Sequence, residues 1–135
     1  MQKALLAATL LALTSPLSAA TLTLPEGATP LAINGLPIKD AEQTLTFAEG
    51  KQVLSLRYEQ SFRPLFTPNL YSTPTWLVKL SLEPGQSYQL ELDAPEQAKQ
   101  WQAFMQAPGM VVVDSEGNRQ PVEPKTVEQW LVELL

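Results

Sequence analysis

Enzymes that break covalent bonds need a nucleophile beside a base, a pair of carboxylates at a set distance, or a metal, and this chain is short of all three. Its 135 residues contain no histidine and no cysteine, which removes the commonest general base and most zinc, copper and iron chemistry. Serine catalysis without histidine leaves the serine–lysine arrangement, and neither S-x-x-K nor G-x-S-x-G occurs in the sequence. The 14 acidic residues are scattered, and nothing in their spacing brings two of them to the roughly 5–10 Å that a glycosidase requires. Asp114, Glu116 and Asn118 around Gly117 echo a calcium loop, but the further ligands and the distal bidentate glutamate are missing. That stretch reads as a plain β-turn. The expectation is a non-enzymatic protein with no catalytic residue, no cofactor and no metal.

Recognition remains. Phe62, Arg63, Phe66 and Tyr71 lie in a proline-rich segment, residues 61–74, that is too apolar for an ordinary loop. They form either an exposed platform on which a glycan or a peptide stacks, or a roof over an open sheet face. The second means of recognition is the backbone itself. A small open sheet has edges whose free N–H and C=O groups can accept a strand from another protein, unless Pro37 blunts the edge or the last helix covers it.

The elements that position these residues are mostly strands. Residues 21–24 alternate polar and apolar before Pro25, Glu26 and Gly27, a first strand and a turn. Leu31 and Ile33 precede Asn34 and Gly35, a hairpin signal, with Leu36 and Ile38 returning on a short or edge strand because Pro37 cannot donate to a ladder. Leu45 and Phe47, a turn at Glu49 and Gly50, then Leu54, Leu56 and Tyr58 form a second two-stranded unit with one apolar face. Trp76, Val78, Leu80 and Leu82, a turn at Pro84 and Gly85, then Tyr88, Leu90 and Leu92 predict the clearest hairpin. A strand over residues 62–66 opens the proline-rich segment, whose remainder is extended and irregular.

Asp93 with Glu96 predicts a capped helix whose face carries Ala98, Trp101, Phe104 and Met105, stopped at Pro108 and Gly109. Residues 110–113 and 121–122 flank a turn. Thr126 with Gln129 opens a last helix whose Val127, Trp130, Leu131 and Leu134 share a face. A helix so short is marginal alone and must dock. Trp76, Trp101 and Trp130 each sit on an apolar face and are expected in the core. The fold class is mainly β (α+β): an antiparallel sandwich or sheet of about seven short strands with two packed helices, in a single domain.

The first twenty residues set the compartment. Lys3, an apolar run over residues 4–13, and small residues at 18–20 predict a signal peptide over residues 1–20, cleaved between Ala20 and Thr21 and leaving a domain of residues 21–135 in the periplasm. The apolar run is short of the ~20 residues a membrane-crossing helix needs, so no stable membrane insertion is expected. Removal of Lys3 leaves 8 basic against 14 acidic side chains, a net charge of −6. Such a surface repels nucleic acid and anionic membranes alike. Stability without disulfides must come from burial and strand pairing.

The order of motifs carries a resemblance. The stretch Ala20, Thr21, Leu22, Thr23, Leu24, then Leu31, Ala32, Ile33, Asn34, Gly35, then the run from Gly50 through Leu54, Leu56 and Tyr58 to Glu59, resembles the small periplasmic family of the curli assembly inhibitor (YccT-like). The likeness continues through Tyr88 to Leu92 and the helix carrying Phe104. It implies a soluble periplasmic protein without known catalysis, in a family of largely unassigned function that includes a restraint on curlin polymerisation. The partner it implies is an envelope protein such as an amyloid-type fibre subunit. Two other readings stay open: a glycan- or peptidoglycan-binding module, since PEGA-like surface domains share these motifs, and an accessory subunit of an envelope complex.

Overall fold

The computed structural model of the protein describes residues 19–40, 42–48, 50–62 and 69–135. Along the chain run β1 (Ala20–Thr23), β2 (Ala28–Ile33), β3 (Leu36–Pro37), β4 (Thr44–Phe47), β5 (Gly50–Phe62), β6 (Asn69–Ser72), β7 (Trp76–Leu82) and β8 (Ser87–Leu92). A 3-10 turn (Ala98–Gln100) leads into α1 (Trp101–Gln106), followed by β9 (Met110–Asp114), β10 (Arg119–Val122) and α2 (Val127–Glu133). The fold is mainly β, an α+β arrangement of two sheets and two short helices. No helix among the described residues is long and apolar enough to cross a membrane.

The first sheet has the order β10-β9-β8-β1-β4, and the second the order β3-β2-β5-β6, with β7 also pairing β5. Every pair is antiparallel except β1 with β8, which run parallel with Leu22 opposite Tyr88. Ten described strands exceed the expected seven because two-residue and four-residue pieces count separately. On β5, β7 pairs residues 50–56 and β6 pairs residues 59–62 along the same edge. Thr73 joins them: its N–H donates to the Tyr58 carbonyl (2.9 Å), and its Oγ1 accepts from the Tyr58 N–H (3.0 Å). The hydroxyl thus stands in for a backbone carbonyl where the ladder would otherwise break.

The two units expected as hairpins around Glu49–Gly50 and Pro84–Gly85 are not hairpins. The strands are present, but β4 pairs β1 while β5 pairs β2 and β7, and β7 pairs β5 while β8 pairs β1 and β9. Each turn carries the chain from one sheet to the other. Alternation specifies which face of a strand is buried, not which strand lies beside it, and two strands whose apolar faces meet across a core satisfy the same pattern as two that pair. The Asn34–Gly35 hairpin does form: both residues have positive φ, 52° and 79°, as a tight reversing turn requires, and β3 is a two-residue edge.

One core joins the sheets. Leu22, Phe47, Leu90 and Val112 enter it from the first sheet, and Leu54, Leu56, Trp76 and Val78 from the second. The helix predicted from Asp93 starts later: residues 93–95 are outside any helix, with Ala94 N–H donating to the Leu92 carbonyl (2.9 Å), and the Gln100 side chain accepts the Glu96 and Gln97 N–H groups (both 3.2 Å) in place of Asp93. Proline at 95 explains the delay, since a residue before proline is disfavoured in the helical region. The final helix is capped as read: Gln129 N–H donates to Thr126 Oγ1 (3.2 Å) and Thr126 N–H to Gln129 Oε1 (2.8 Å). Trp76 and Trp101 are buried, but Trp130 is only half-buried and outside the core, with the Lys79 and Lys125 ammonium groups 4.1 and 4.8 Å from its ring centre.

Candidate functional site

The far half of β5 and the whole of β6 meet α1 through aromatic rings. β5 turns Tyr58, Gln60 and Phe62 to one face, as a period of two dictates, and Tyr71 of β6 lies opposite Gln60 in register. Trp101 closes the group. Its ring centre lies 5.3 Å from Phe104, 5.6 Å from Tyr71, 6.1 Å from Phe62 and 6.2 Å from Tyr58. Phe62 and Tyr71 meet edge to face at 5.3 Å. Gln60 locks the entry to α1: its Nε2 donates to the Pro95 carbonyl (2.7 Å), and its Oε1 accepts from the Tyr58 hydroxyl (3.1 Å).

Of the four residues singled out in the sequence, Phe62 and Tyr71 are thus brought together, both half-buried against the core. Arg63 and Phe66, with most of the strand expected over residues 62–66, lie outside the described residues. Ala20 is buried at the start of β1, and Thr21 follows it, its N–H donating to the Gln86 carbonyl (3.1 Å). Both residues beside the expected cleavage point are therefore part of the strand ladder.

The sheet edges differ in what they offer. β3 is two residues long and ends in Pro37. On β10, Asp114 N–H donates to Asn118 O, and the register then turns Arg119 and Pro121 outward, so the edge has a proline where it needs a donor. β7 is blocked at Leu77, which exchanges both hydrogen bonds with Lys125 (2.7 and 3.1 Å). Two edges remain. β4 turns the backbone of Thr44 and Thr46 away from β1, because Leu24 N–H donates to Gln43 O and the register alternates from there. β6 does the same with Leu70 and Ser72, since the Thr73–Tyr58 bonds set its phase.

β6 differs in its side chains. Leu70 is 67% exposed, an apolar residue on an open edge whose side chain lies on the Ser61 face of the sheet, opposite to the face that carries the aromatic group. Nothing in the sequence pattern separated Leu70 from its proline-rich surroundings. The only available signal was the Asn69–Ser72 run itself, whose aromatic Tyr71 and flanking prolines suit an edge strand.

Other polar features are structural. Asp114 accepts from the N–H groups of Glu116 and Asn118 and from Asn118 Nδ2 (all 2.9 Å). The Asn118 side chain and the turn's N–H groups hold its carboxyl below the usual carboxylate range. The residues that echoed a calcium loop therefore satisfy each other as an Asx-type turn. No group of three or more metal-ligating side chains occurs among the described residues.

Burial, and then the Glu26 carboxylate, hold the Tyr58 hydroxyl above its ordinary pKa of 10.0. The unfolded chain therefore ionises at this residue first as pH rises. The resulting stabilisation is complete below pH 10 and is lost as pH climbs through the raised value. Urea midpoints measured from pH 8 to 11 are expected to fall more steeply in the wild type than in Tyr58→Phe; identical slopes would remove Tyr58 from the account.

No curated protein and no solved structure matches the chain. A family model described as "uncharacterized protein conserved in bacteria" (DUF2057) matches residues 21–134. With two sheets, one core and an open edge spanned by that match, the chain belongs to this bacterial family of uncharacterised proteins.

Proposed function

We propose that this is a non-enzymatic periplasmic protein that binds extended, β-prone segments of envelope proteins and restrains their polymerisation, as the resemblance to the curli assembly inhibitor family suggests. The observation that carries the reading is the open edge of β6. Leu70 turns its N–H and C=O away from β5 and exposes its side chain, which is the arrangement strand addition uses. The backbone supplies affinity that tolerates sequence variation. The half-buried Phe62 and Tyr71 rings supply apolar contact next to it. The net charge of −6 on residues 21–135, 8 basic against 14 acidic side chains, limits association between copies of the protein through like-charge repulsion.

Because the Leu70 N–H is not used by β5, Leu70→Pro removes a donor from the edge without removing a rung of the protein's own ladder. In a fibre-growth assay with a curlin-type subunit, the wild type is expected to lengthen the lag at equimolar protein. Leu70→Pro should need about three- to tenfold more protein for the same delay, the worth of one hydrogen bond. Leu70→Thr keeps the donor and should act like the wild type. Loss of activity in both variants would indicate an apolar contact in place of strand addition. No effect of the wild type on lag or elongation would end the proposal. Retention on cell-wall sacculi that Tyr71→Ala abolishes would favour the glycan reading.

A further inference from the structure

Five of the seven exposed large apolar residues among the described residues lie on α2 or just after it: Val127 (46%), Leu131 (56%), Val132 (68%), Leu134 (80%) and Leu135. This helix is not loosely placed. A reciprocal capping box fixes its start, the Lys79 and Lys125 ammonium groups both lie over the Trp130 ring, and the Leu77–Lys125 bridge ties the chain just before the Thr126 cap to β7. At about 100° per residue, Leu134 and Val127 lie beside Trp130, Leu131 a quarter-turn from it and Val132 on the far side, so the exposed apolar residues form a stripe running from the indole round to the outer side of the helix. The helix that the sequence expected to dock through its apolar face docks through one indole and turns the rest outward.

The rim of that stripe is acidic. A cleft of about 660 Å³ beside it is lined by Ala107, Pro108, Pro124 and Val132 together with Glu123, Glu128 and Glu133. Lys125 is the cation lining the cleft, where it is already paired with Glu133, while Lys79 lies over the Trp130 ring and does not line it. Glu123 and Glu128 make no ion pair among the described residues. No basic residue lies in the last turn to offset the negative end of the helix.

We infer that the outer face of α2 is a docking surface for a cationic amphipathic helix of another protein. The apolar side of that helix covers Leu131 and Val132, and its flanking Lys or Arg residues meet Glu128 and Glu123. Charge selects this occupant. A second copy of the chain would bring another acidic surface against Glu123 and Glu128, in a protein already at −5. An anionic bilayer meets the same repulsion, whereas a basic helix has both the apolar face and the complementary sign. The surface is separate from the β6 edge and stands or falls independently of it.

The test uses the full chain and two labelled synthetic helical peptides, one of leucine and lysine and one of leucine and glutamate, followed by fluorescence anisotropy. The leucine–lysine peptide is expected to bind saturably and more weakly as salt rises; the leucine–glutamate peptide is not expected to bind. Leu131→Ser with Leu134→Ser should weaken binding by about tenfold or more, the worth of a buried leucine. Val132→Ser provides a milder second variant of the same face, with near-ultraviolet circular dichroism to show that the core is intact. Glu128→Lys should weaken binding about three- to tenfold, and Glu42→Lys, an equal charge change before β4, should leave it unchanged. Equal binding of both peptides, or equal loss in Glu128→Lys and Glu42→Lys, would overturn the inference. So would dimerisation in sedimentation that Leu131→Ser with Leu134→Ser abolishes, or capture of the protein on anionic vesicles.

Discussion

Trp101→Ala is expected to cost the fold about 3–5 kcal/mol, the range for emptying a large aromatic site from a packed core. Four rings touch this indole: Tyr58, Phe62, Tyr71 and Phe104. They come from three elements, so the loss is not confined to α1. Removing the indole takes the support from the far end of β5 and from β6, whose inward anchor is Tyr71. Chemical denaturation should show the drop in midpoint. Hydrogen exchange should show β6 and the end of β5 losing protection before β2 and β7. A loss below about 1 kcal/mol would mean that the ring group is a loose surface assembly and not part of the core.

Gly27→Ala is the second large effect, expected at about 2–5 kcal/mol from left-handed backbone strain and overpacking together. Gly27 has φ of 91°, and a Cβ placed there would lie 2.5 Å from the Glu59 carbonyl oxygen and 2.9 Å from Tyr58 Cε1. Neither neighbour can yield. The Glu59 N–H is bonded to the Gly27 carbonyl (2.9 Å), and the Tyr58 ring is held by Trp101 and Phe104. Gly35 provides the comparison, with φ of 79° and nothing within 4 Å of the added carbon. Gly35→Ala should cost only about 1–2 kcal/mol. Thermal melts of the two variants separate the steric part from the conformational part, and equal losses would show that the approach to Glu59 is immaterial.

The same residues show what a sequence reading could and could not reach. Alternation located β5, β7 and β8 and named their buried sides correctly, because burial acts on each residue separately. It could not tell that β7 and β8 belong to different sheets. Partner choice depends on residues far away in the chain, such as Leu22 against Tyr88. Phe62 and Tyr71 stood out by type, but their union under Trp101 required knowing how α1 folds back. Trp130 was expected in the core because its helix has an apolar face, yet it is half-buried outside the core with two lysine ammonium groups over its ring. The exposed Leu70 was hidden by its prolines, since edge and loop share a composition.

Placing β1 in the middle of the first sheet has a consequence for how the molecule assembles. Its neighbours are β4, which follows within about two dozen positions, and β8, which begins at Ser87. The second sheet can be completed once Leu82 is available, whereas the earliest strand must wait for a segment synthesised much later. Such long-range closure slows folding relative to locally connected designs. A chain emerging in order therefore spends time with its opening strand half-paired, and a fragment ending at Leu82 should keep the second sheet's pairings while leaving Thr21 and Thr23 exchanging freely with solvent.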